Sequence, residues 1–192
     1  MKQTTLRVYI RRLVLSAMFL AIGLVLPFVT GQIPQVGSML LPMHIPVLLC
    51  GLICGWGCGG LVGFVMPLLR SALFGMPPMF PTAVAMAFEL AAYGILSGWF
   101  YDRAKWKCVI SLYRSLIAAM IGGRVVWGGA MVVLLGLGSE GFTWAMFLSG
   151  AFLTAIPGIV LQLVVIPGVM VTLGKAKLVS FHRDGKAEHQ KM

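Results

Sequence analysis

Three ionisable side chains stand inside stretches that would otherwise dissolve in oil: Arg70, Glu89 and Arg124. A charge at the middle of a bilayer costs roughly 2.5–3.5 kcal/mol on insertion scales. It is kept where it pairs or faces a polar cavity. Two guanidiniums and one carboxylate sum to +1, and the simplest neutraliser of that surplus is a monoanionic ligand. A carboxylate gripped by both arms of an arginine would serve. The competing reading is a buried Arg70–Glu89 ion pair that only fixes helix packing. It leaves Arg124 without a partner, and an unpaired buried cation is costly.

Polar, small and aromatic side chains recur around these charges at helical spacing. Thr82, Ala85, Glu89 and Tyr93 fall on one helical face. Trp127 and Gly128 follow Arg124 by about one turn, and Thr154, Gly158 and Gln162 recur every four residues. Side chains of these kinds converging between helices are what a small-molecule pocket requires. Two segments rich in proline and methionine, GQIPQVGSMLLPMHIP (31–46) and GMPPMFP (75–81), are expected to close over it as lids. The second presents Met79 and Phe80, and the first holds His44 near its end.

Cys50, Cys54 and Cys58 are spaced at i, i+4 and i+8, with His44 as the nearest fourth metal ligand. Glycines interrupt the helix before Cys58, so the thiols are read as small apolar packing residues and no metal site is expected. No Walker A loop is present: the string from Gly168 to Lys175 has the wrong spacing and ends on Ala176. There is no HExxH, no GxSxG and no paired carboxylate. A membrane enzyme therefore lacks a catalytic set, and no cofactor is expected. Any ATP-driven movement of a solute would need an ATPase on another chain.

The elements that position these residues follow from composition. Of 192 residues 59% are hydrophobic and 10% charged, and mean hydropathy is +0.96. Soluble domains carry about 25% charged residues. The chain is read as a single all-α integral membrane domain, residues 1–192, with six transmembrane helices at about 12–29, 45–56, 58–74, 81–100, 110–137 and 146–173. The second is short, and Gly55, Gly57, Gly59 and Gly60 suggest a tight turn into the third. The basic start and first apolar run lack a cleavage site and are read as an uncleaved helix. Thirteen of the fifteen Lys and Arg residues precede the first span, flank the break between spans four and five, or follow the last. That pattern places both termini in the cytoplasm. It also accounts for most of the net charge of +10, so no nucleic-acid partner is expected.

At this level the chain resembles the substrate-binding S-components of energy-coupling factor (ECF) vitamin transporters, over about residues 8–174. The resemblance is carried by size, span count and the segments LLPMHIPVLLCGLICGWGCGGLVGF and PLLRSALFGMPPMFPTAVAMAFELAAYG. The stretch Ala17-Met-Phe-Leu-Ala21 also fits the family's Ala-x-x-x-Ala pattern. Small residues one turn apart let a second helix approach closely. The resemblance implies a plasma-membrane subunit of a prokaryote that captures a vitamin at its outer side. It implies docking through Ala17 and Ala21 on a transmembrane T-component served by two cytoplasmic ATPases. It further implies a pocket drawn from His44, Arg70, Met79, Phe80, Glu89, Tyr93, Arg124, Trp127, Thr154 and Gln162. The loop motifs are most similar to pantothenate-type members, and a monoanion fits the surplus charge; folate and riboflavin stay open. The nickel and cobalt branch is disfavoured because Met1-Lys2-Gln3 lacks its metal-binding histidine. Outside the family, a stand-alone secondary transporter is the alternative, weakened by the scarcity of ionisable residues and the lack of a detectable inverted repeat.

Overall fold

In a bilayer the backbone must satisfy its own hydrogen bonds, and long apolar runs do so as helices. The computed structural model describes residues 2–29, 42–135 and 155–176, and these contain helices and no strand. In chain order they are α1 (Lys2–Val29), α2 (His44–Cys54), α3 (Trp56–Phe74), α4 (Val84–Arg103), α5 (Val109–Leu135) and α6 (Ile156–Lys175). One irregular π-type turn, Met79–Ala83, precedes α4, and its Phe80 is extended.

Five stretches are long and apolar enough to cross a membrane: Leu6–Phe28, Trp56–Phe74, Met79–Arg103, Val109–Leu135 and Ile156–Lys175. The expected second span exists as a helix, but α2 has only 11 residues. At about 1.5 Å per residue it is about 16 Å long, about half the hydrocarbon thickness. Nine of those 11 residues are buried, from His44 to Cys54. α2 contacts α1, α3, α4 and α6, so it is a core helix inside the bundle. The expected start of the last span, at 146, lies outside the described residues.

The turn between α2 and α3 is tighter than the glycine run suggested. Gly55 alone makes it, with φ of 99°, while Gly57, Gly59 and Gly60 are helical residues of α3. Gly75 ends α3 in the left-handed region (φ 69°) and returns its N–H to the Ser71 carbonyl at 2.9 Å. Both positions favour a residue without Cβ.

The other glycines let backbones touch. A Cβ on Gly94 of α4 would strike the Gly59 backbone of α3, and one on Gly51 of α2 would strike the Gly94 carbonyl. Three helices thus cross at Gly51, Gly59 and Gly94, and this crossing seats α4 deep in the bundle. Around it pack Leu48, Met66, Leu90, Leu112, Leu116 and Ile166, all buried. α5 turns Ile117, Ile121 and Val125 outward and Leu116, Met120 and Arg124 inward. α1 lies at the edge. Ser16, Phe19, Gly23 and Pro27 face the bundle, while Leu13, Ala17, Ala21 and Val25 face out.

One end of the bundle collects basic residues. Arg11 and Arg12 lie near Cys54 at the end of α2, and Asp102 approaches Gly55. Beside them Arg103 ends α4, and Lys105 and Lys107 stand in the α4–α5 connection. Arg103 stacks over Trp99 at 4.6 Å, and Lys107 pairs with Asp102 at 3.8 Å.

Candidate functional site

The site is built on α4. Glu89 and Tyr93 are one turn apart and point to the same side, which is buried against α2 and α5. From α2 comes His44, its first residue, whose ring meets that of Tyr93 edge-on (centroids 5.0 Å apart, 88°). From α5 comes Arg124. Its neighbour Gly123 explains how it gets there: a Cβ at Gly123 would run into the Tyr93 ring. Without that Cβ, α5 passes close to α4 and delivers the guanidinium to Glu89.

Glu89 Oε1 lies 3.0 Å from Arg124 Nη1 and 3.6 Å from His44 Nε2. Solvent exposure is 1% for His44, 2% for Glu89, 1% for Tyr93 and 4% for Arg124. At that burial the carboxylate and guanidinium stabilise each other against the loss of water. The contact is an ion pair without the alignment of a hydrogen bond. Among the described residues Oε1 has no hydrogen-bond partner, nor do both nitrogens of His44 or Nε and Nη2 of Arg124. A buried polar group left unpartnered costs about 1–3 kcal/mol. Several stand together here, which makes this cluster the candidate site.

α6 adds a further unpartnered group. Gln162 is buried together with Gly158 on its inner face, and among the described residues neither atom of its amide has a hydrogen-bond partner. α6 packs on α2 and α5, the helices that bring His44 and Arg124.

Arg70 is elsewhere in this network, and the Arg70–Glu89 pairing considered from sequence does not form. Its Nη1 donates to the Leu24 carbonyl of α1 at 2.8 Å. Its guanidinium lies 5.3 Å from the Phe28 ring and 5.6 Å from the Phe74 ring, themselves in edge contact at 4.9 Å. Arg70 therefore ties the end of α1 to the end of α3, while Glu89 takes Arg124, the cation that spacing had left unpaired.

Of the other expected pocket residues, Thr82 and Trp127 are half-buried. Met79 and Phe80 are exposed, at 47% and 62%, in the connection from α3 to α4. Thr154 lies outside the described residues, as does most of the 31–46 segment. Cys50 donates weakly to Ser16 Oγ at 3.7 Å, which pins α2 to α1. Sequence reasoning missed Gly123 altogether. Its signal was a glycine directly before Arg124, a charge in the middle of an apolar helix.

The family model for the substrate-specific component of ECF transporters matches residues 11–170. The chain belongs to that family. Neither the curated proteins nor the solved structures compared with it returned a match. As an ECF substrate-specific component it is a substrate-binding transport subunit rather than an enzyme by itself. Membership also implies association with a T-component and with ATPases.

Proposed function

We propose that this chain captures a small vitamin for ATP-driven uptake, and that the vitamin is of the pantothenate type. The ligand's polar end is received at the cluster of His44, Glu89, Tyr93 and Arg124, with Gln162 and Trp127 completing the wall and Met79 and Phe80 in the covering loop. Both termini face the cytoplasm of a prokaryotic cell, as the basic residues gathered around the α4–α5 connection support. Ala17 and Ala21, on the outward face of α1, dock the subunit on the T-component.

The observation that supports this reading is the buried cluster itself. Three helices bring together charged and polar groups that among the described residues use only part of their bonding capacity. A purely structural cluster would be expected to satisfy itself.

Reconstitution tests the reading. Vesicles containing this chain with a T-component and ATPases should accumulate radiolabelled pantothenate only when ATP is supplied, and vesicles containing the chain alone should not. Accumulation by the chain alone, driven by an ion gradient, would establish the stand-alone transporter instead. Uptake of folate or riboflavin in place of pantothenate would keep the mechanism and change the vitamin.

A further inference from the structure

We propose that the Nε–Nη2 edge of Arg124 is the seat of a carboxylate group of the transported ligand, and that Arg70 is not. The inference rests on the reading of the cluster as the ligand site and adds which atoms hold the charge. A guanidinium offers its N–H groups along distinct edges. Glu89 occupies the Nη1 side of Arg124 at 3.0 Å. On the other side, Nε–H and one N–H of Nη2 run parallel, in the geometry that accepts both oxygens of one carboxylate. Among the described residues these are the two nitrogens of Arg124 that are buried without a partner.

The fork is also held still. Glu89 draws Arg124 from one side and Gly123 lets Tyr93 press close on the α5 backbone, so little rotamer freedom is lost when a ligand docks. His44 approaches the same Glu89 oxygen as Arg124, and neither of its ring nitrogens has a hydrogen-bond partner among the described residues. It provides a hydrogen-bonding group for a polar atom of the same ligand. Arg70, by contrast, already spends an N–H on Leu24 and lies against Phe28 and Phe74. The ligand class is a monocarboxylate with at least one further hydrogen-bonding group.

The test is equilibrium binding to the purified full-length chain, with pantothenate and its neutral alcohol panthenol as probes. The wild type should prefer the acid by about thirty-fold, the scale of a hydrogen bond to a charged group, because the Glu89–Arg124 pair persists with either probe. Arg124→Lys keeps the charge but loses the fork, and should lower that preference about ten-fold or more. Arg70→Lys should leave the acid-to-alcohol ratio within about three-fold. A fold-preserving control, Glu89→Gln with Arg124→Gln, removes both charges together; it should bind both probes with no preference. Retained preference in Arg124→Lys, or its loss in Arg70→Lys alone, overturns the assignment. If the wild type ignores pantothenate but binds biotin over biotinamide, the seat stands and the pantothenate reading falls. If it binds riboflavin or thiamine and no carboxylate vitamin, the seat is overturned while vitamin capture survives.

Discussion

Glu89 is worth more to Arg124 than either residue is worth to the fold. Removing one member of a buried pair strands the other charge, at about 3–5 kcal/mol, whereas removing both can be nearly neutral. Arg124→Met should therefore lower the thermal stability of the detergent-solubilised chain strongly. Adding Glu89→Gln should restore most of the loss, and a double-mutant cycle should show coupling of at least about 1 kcal/mol. Additive losses would mean that the pair is not an energetic unit. Sequence placed three charges inside apolar stretches and offered an Arg70–Glu89 pair as the competing reading. It did not show that Arg124 is the partner of Glu89, because spacing along a chain does not report helix rotation. Arg70 and Glu89 flank one helix–loop–helix connection and invite pairing. The rotation of α3 instead turns Arg70 to Phe28 and the Leu24 carbonyl on α1.

At the scale of elements, the helices were legible because apolar runs in a membrane have few alternatives. Their depth in the bundle was less so. α2 reads as a span and is a buried short helix, since what buries it is contact with α1, α3, α4 and α6. The glycine run reads as one turn, yet only Gly55 turns the chain; Gly59 serves a helix crossing that involves residues 35 positions away. Gly94→Ala would place a Cβ against the Gly59 backbone, which cannot retreat as a side chain can. Overpacking costs about 1–3 kcal/mol or more, so this variant should show a lower unfolding midpoint, and a normal midpoint would argue against the close crossing. The α3–α4 connection makes a separate prediction. Met79 and Phe80 are exposed, and if the loop covers a bound vitamin, oxidative labelling of both should fall when ligand is added. Equal labelling with and without ligand would leave the loop a simple connection.

Among the described residues α1 is the least buried of the membrane-spanning stretches, and one end of the bundle is basic. α1 shows Leu13, Ala17, Ala21 and Val25 to the outside, and the two alanines make a shallow strip where another helix can come close. Replacing both, Ala17→Trp and Ala21→Trp, should abolish co-purification with the T-component and ATPases. Vitamin binding by the isolated chain should be unchanged, because the proposed site draws on α2, α4, α5 and α6 and not on α1. Co-purification at normal yield would place the docking surface elsewhere. The most direct measurement of the central claim, capture of a vitamin by this chain alone, is mass spectrometry of the small molecules released when the purified protein is heat-denatured. One carboxylate vitamin, pantothenate first among them, should be released at about one molecule per chain from the wild type and be depleted from Arg124→Lys. Release of no vitamin from protein that was purified with pantothenate, folate, biotin and riboflavin in excess would contradict the account.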